Sequence, residues 1–97
     1  MKLRVTKRAV TQIEKALGYI EVESPQGASR LRERIRDIFL LLAQHPYAGQ
    51  ATDLPGVRRL FVSPYPYLIF YRVTGDEVIV QRMRHTSRWP LTGSGPP

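Results

Sequence analysis

Apolar positions along the chain first alternate, then step by three and four, then alternate again. Leu3-Arg4-Val5 is a short alternating stretch and predicts an edge strand. Thr6 is placed to cap a helix over 7–23, because Ala9, Ile13, Ala16, Leu17 and Ile20 follow on one helical face. Ser24-Pro25 restarts the pattern: serine suits an N-cap, and proline is tolerated at the first helical position, where its missing N–H is not needed. Ala28, Leu31, Ile35, Ile38 and Leu42 then predict a second helix over 25–44. His45-Pro46 ends it, since a residue before proline is pushed out of helical geometry. With almost no linker between them, the two helices must fold back as a hairpin.

Residues 46–56 read as a loop, punctuated by Pro46, Gly49, Pro55 and Gly56. Val57–Val62 reads as a strand and Ser63-Pro64-Tyr65-Pro66 as a rigid turn. Tyr67–Val73 is apolar on both faces until Arg72, which predicts a central strand. Thr74-Gly75-Asp76-Glu77 is a tight hairpin turn in which Gly75 is able to take positive φ, and Val78–His85 returns as a strand. The expected fold is α+β, in the order β-α-α-β-β-β: a helical hairpin packed on one face of a small antiparallel β-sheet. The helices can cover only one face, yet strands 67–73 and 78–85 carry apolar groups on both. Ile79 and Met83 alternate with Val78 and Val80, so one of these pairs is expected on the uncovered face, as an apolar strip that suits a partner.

Length and composition narrow the function. The 97 residues support one domain, expected over 1–90, and the aperiodic tail 91–97 is expected to be disordered. There is no cysteine, which excludes a disulfide framework, a thiolate nucleophile and Cys-based zinc or iron–sulfur sites. Two histidines without a carboxylate cluster make a metal site improbable, and no cofactor is expected. The longest apolar run, Ile38–Ala43, is far shorter than the roughly 20 residues of a spanning helix, and the start of the chain has no signal-peptide stretch. A cytoplasmic protein without a membrane partner is the expectation. Fifteen Lys and Arg against eight Asp and Glu give +7, and residues 56–97 hold six of the positive charges and two of the negative ones. A basic surface attracts nucleic acid, acidic protein or anionic lipid, and does not choose among them.

Five segments carry a resemblance: Ser24–Ala28, His45-Pro46-Tyr47-Ala48-Gly49, Gly56-Val57-Arg58-Arg59-Leu60, Tyr65–Val73 and Arg84-His85-Thr86-Ser87-Arg88. In order and spacing they resemble the RelE/ParE toxin superfamily over about residues 3–90. The most specific part is the strand Pro66–Arg72 with its glycine turn and its Arg-His-x-x-Arg end. The resemblance implies the toxin of a type II toxin–antitoxin pair, in hetero-oligomeric complex with a cognate antitoxin. It also implies one of two activities. RelE-like members cut mRNA on the ribosome without a metal, whereas ParE-like members poison DNA gyrase and lack the nuclease residues. Ribonuclease members often carry an arginine at the place matching Tyr67, and some have a lysine-rich loop; here 46–56 contains neither Lys nor Arg. Both departures favour the ParE-like branch.

Each candidate residue also has an ordinary structural reading. Histidine titrates near neutrality and suits acid–base work. His85 is therefore the first catalytic candidate of a ribonuclease, with Arg59, Arg82 and Arg88 for the developing phosphorane charge. A hydrogen-bonding histidine at a strand end is the alternative, and ParE-like members carry one there too. Arg30, Arg32, Arg34 and Arg36 read as a solvated helix face with pairs Arg30–Glu33 and Arg34–Asp37. Arg58, Arg59, Arg82, Arg84 and Arg88 lie on strands or strand ends and can form one patch for a target or an acidic antitoxin. Tyr67 and Tyr71 share a strand face and read as packing. The expected partner-binding residues are Arg59, Ile79, Arg82, Met83 and Arg84.

Overall fold

A computed structural model describes residues 1–86; Arg88 and the tail 91–97 lie outside the described residues. β1 (Lys2–Val5) leads into α1 (Lys7–Glu23) and α2 (Pro25–Gln44). Four strands follow: β2 (Gln50–Ala51), β3 (Val57–Phe61), β4 (Tyr67–Val73) and β5 (Glu77–His85). The sheet order is β1-β5-β4-β3-β2, so β4 is central and β1 is an edge, as the apolar pattern predicts. The pairing is mixed rather than wholly antiparallel. β1 runs parallel to β5, and the other three pairs are antiparallel. The two-residue β2 lies inside the expected loop and pairs Gln50 with Arg59 and Ala51 with Arg58.

The helix ends follow their capping residues. Thr6 is extended at the α1 N-cap and its hydroxyl accepts from the Ala9 amide at 3.1 Å. Ser24 closes α1 and opens α2: its amide donates to Ile20 at 2.8 Å, and its hydroxyl accepts from Gly27 at 2.9 Å. His45 ends α2 with an amide bond to Leu41 at 2.7 Å. Ala28, Leu31, Ile35, Ile38 and Leu42 of α2 are buried, and Ala9 and Leu17 of α1 join them. Burying each of the leucine and isoleucine side chains stabilises by roughly 1.5–3 kcal/mol. The helices cover the face of the sheet that carries Tyr67, Ile69, Tyr71, Val78, Val80 and Met83.

A β-bulge governs which residues face which way. Phe70 pairs with Arg82 but Tyr71 pairs with Val80, so Gln81 is the extra residue on β5. Before it, Val78 and Val80 face the helices; after it, Met83 does. Thr6 holds the bulge in place, its amide donating to Val80 at 3.0 Å and its hydroxyl to the Gln81 carbonyl at 3.0 Å. The expected pairing of Ile79 with Met83 on one face is therefore corrected. Met83 is 2% exposed in the core under the helices, while Ile79 faces the other way, opposite Arg72.

Two smaller expectations are also corrected. The glycine with positive φ among the described residues is Gly56, at 78°, not Gly75. The 74–77 turn is closed instead by Thr74, whose amide and hydroxyl donate to the Glu77 carbonyl at 2.9 and 3.1 Å. The helix pairs Arg30–Glu33 and Arg34–Asp37 are not formed, and the ion pair among the described residues is Arg4–Glu77 at 3.5 Å. Arg34 donates to the Ser63 carbonyl at 2.6 Å, tying α2 to the β3–β4 turn.

Candidate functional site

Cross-strand pairing lays out the sheet face opposite the helices in three rows. One row is Arg59–Phe70–Arg82, the next Phe61–Leu68–Arg84, and the third Val57–Arg72–Ile79 with Arg4 beyond it on β1. The apolar strip expected here is not bare. Leu68 and Phe70 are 6% and 7% exposed and cluster with Val57. The Arg82 guanidinium lies 4.6 Å from the Phe70 ring centre and that of Arg84 5.4 Å, so the two cations roof the ring. Phe61 remains half exposed at one corner.

The roof concentrates positive charge. Burial, followed by the neighbouring Arg84 and Arg8 charges, holds Arg82 below the usual arginine range. No ion pair with Asp or Glu relieves Arg59, Arg82 or Arg84 among the described residues. Two shallow grooves flank the roof. One, of 260 Å³, is lined by the 51–54 segment with Arg59, Phe70, Arg82 and Arg84. The other, of 380 Å³, is lined by Thr6, Arg8, Leu54, Val57, Gln81 and Arg82. Leu54 and Arg82 border both. The loop bearing Leu54 is fixed by Arg72, which donates to the Pro55 carbonyl at 3.3 Å, and by Thr52, whose hydroxyl donates to Val57 at 2.9 Å.

His85 belongs to the other face. It pairs across strands with Tyr67, and their rings meet edge-on at 5.2 Å. A cleft of 290 Å³ opens beside it, lined by Gln12, Lys15, Ala16, Tyr67, Met83, Arg84 and His85. Gln12 accepts the Met83 amide at 2.9 Å and braces the cleft wall. Of the residues proposed for RNA cleavage, Arg59 and Arg82 sit on the open face and His85 on the helix side, while Arg88 lies outside the described residues. Arg58 also leaves the expected patch. It faces the helix side opposite Tyr71, donates to the Gly49 carbonyl at 2.7 Å and stacks 4.9 Å from the Tyr47 ring. Arg59, Arg82 and Arg84 do share one face. The residues overlooked in the sequence are Phe70, Leu54 and Arg8. Strand alternation around Arg72 was the available signal for Phe70; Leu54 and Arg8 arrive through loop and helix placement.

Comparison with known proteins gives consistent matches. Residues 3–90 match the family described as "ParE toxin of type II toxin-antitoxin system, parDE". The chain is 32% identical over 89 residues to "Putative toxin Y4kP" of Sinorhizobium fredii, covering 92% of this chain and 93% of that protein. In fold it is similar to a structure titled "Chromosomal ParDE TA system from P. aeruginosa", with a TM-score of 0.78, 24% identity, and coverage of 90% of this chain and 97% of that one. It is also similar to the "YoeB/ParE toxin from Agrobacterium tumefaciens", with a TM-score of 0.61, 20% identity and coverage of 88% and 98%.

Proposed function

The chain belongs to the ParE toxin family of type II toxin–antitoxin systems, and from that premise we propose that it acts in the cytoplasm by binding DNA gyrase and is neutralised in a hetero-oligomer with its cognate antitoxin. The observation that carries this reading is the division of the ionisable candidates between two faces. Metal-free RNA cleavage needs an acid, a base and cations converging on one phosphate. Here Arg59 and Arg82 are turned away from His85 by the sheet itself. Tyr67, at the place where ribonuclease members often carry an arginine, is 6% exposed and packs in the core. A surface of cations and apolar side chains, with no acid–base pair converging on it among the described residues, suits protein recognition. No helix among the described residues is long and apolar enough to cross a membrane.

Ribosome-dependent cleavage of mRNA is the second reading. It draws on the cleft in which His85 lies with Lys15 and Arg84. Induction in bacteria separates the two. The gyrase reading expects a DNA-damage response and filamentation with transcripts intact. Site-specific cleavage of transcripts on ribosomes would overturn it and promote the second.

A further inference from the structure

We propose that the β2 edge of the sheet pairs with the β2 edge of a second copy of this chain, in a weak twofold dimer centred on Ala51. This goes beyond the function proposed above and does not rest on it.

The two edges of the sheet are built differently. β1 carries Lys2 and Arg4, charges that guard an edge against pairing and that a twofold contact would bring near their own copies. β2 is Gln50-Ala51, and residues 46–57 around it hold one charge, Asp53. On a chain of net charge +7, this nearly neutral border is where two copies can approach.

The backbone register fixes which groups face outward. Thr52 donates its amide to the Val57 carbonyl at 3.1 Å, so the next pair, Ala51 with Arg58, turns its N–H and C=O groups away from each other. Those of Ala51, an exposed residue, point out of the sheet. Two copies related by a twofold axis at Ala51 exchange both hydrogen bonds there, the N–H of each donating to the carbonyl of the other. The same axis sets residues before Ala51 beside residues after it in the second copy. Asp53, which has no ion pair among the described residues, then approaches Gly49 of the second copy, whose carbonyl holds Arg58 at 2.7 Å. Tyr47 likewise approaches Pro55. Tyr47 and Leu54 are 65% and 57% exposed and line one groove of 230 Å³ with Pro55 and Arg58. The contact thus joins opposite charges and covers apolar surface that the fold leaves in water. A two-residue edge makes a contact smaller than the roughly 800 Å² per partner of standard interfaces, so the dimer is weak.

Sedimentation of the purified full chain should show a monomer–dimer equilibrium with a dissociation constant between roughly 1 µM and 1 mM. Ala51→Pro removes the outward N–H, takes no bond from β3, and should weaken the dimer by about tenfold with circular dichroism unchanged. Asp53→Lys should weaken it too. The chain has no cysteine, so Ala51→Cys reports the contact directly. Hydrogen-bonded partners lie about 5.5 Å apart at Cα, within disulfide reach. Under mild oxidation Ala51→Cys should form a linked dimer faster than Lys2→Cys on β1. A chain that stays monomeric at about 1 mM, a dimer unmoved by a folded Ala51→Pro, or equal cross-linking of the two cysteine variants overturns the inference. If Ala51→Pro unfolds the protein, the Asp53→Lys affinity and the Ala51→Cys cross-link decide.

Discussion

The Tyr71 hydroxyl accepts a hydrogen bond from the Gly49 amide at 2.9 Å, in the protein interior and across 22 positions of the chain. This bond, with Arg58 on the Gly49 carbonyl, pins the segment after α2 to the centre of the sheet. Tyr71→Phe leaves the Gly49 N–H buried and unpaired and should cost about 1–3 kcal/mol in urea unfolding. Gly49→Ala should be destabilising for a different reason: its Cβ would stand 2.5 Å from the Arg59 carbonyl oxygen and 2.7 Å from the Tyr71 hydroxyl. Forcing that contact should cost about 1–3 kcal/mol. Adding Tyr71→Phe to Gly49→Ala should not restore stability, because the Arg59 carbonyl still clashes.

The same tyrosine predicts a limit at high pH. Burial raises its pKa above the ordinary 10.0, against the opposing Gly49 hydrogen bond and Arg58 charge. The folded state therefore holds this proton where the unfolded chain releases it, so stability falls as pH rises through that window. Between about pH 9 and about pH 11 the urea midpoint should drop, and Tyr71→Phe should lessen the drop. An equal drop in both proteins assigns it to other groups.

Ile79 and Met83 separate fold from partner binding. Met83→Ser empties a core position and buries a hydroxyl, which should cost about 2–5 kcal/mol in thermal or urea unfolding. Ile79→Ser should cost less than about 1 kcal/mol and instead weaken a complex formed on the open face. If Ile79→Ser unfolds the protein and Met83→Ser does not, the bulge at Gln81 is misplaced.

His85→Ala should retain growth arrest. The imidazole contributes an edge-on contact with Tyr67, and its loss leaves the open face intact. General acid–base catalysts typically contribute 10²–10⁴-fold in rate. A folded His85→Ala protein without toxicity therefore favours RNA cleavage.

Local signals made much of this fold legible. Thr6, Ser24-Pro25 and His45-Pro46 mark the helix ends, and the apolar run Tyr67–Phe70 marks the central strand. What stayed hidden depends on distant partners. The Gln81 bulge is held by Thr6, 75 residues away, and no alternation rule reveals it; Met83 was misassigned for that reason. The parallel pairing of β1 with β5 rests likewise on long-range contact. The candidate site was half legible. Arg59, Arg82 and Arg84 are found on one face, but Phe70 under Arg82 and Arg84 was overlooked. Arg58 was grouped with Arg59 although neighbours on a strand must face opposite ways.

The most direct measurement adds the purified protein to DNA gyrase and, in parallel, to ribosomes engaged in translation. Loss of supercoiling with mRNA intact, relieved by the antitoxin, is the predicted result. Cleaved mRNA with supercoiling untouched would contradict the account.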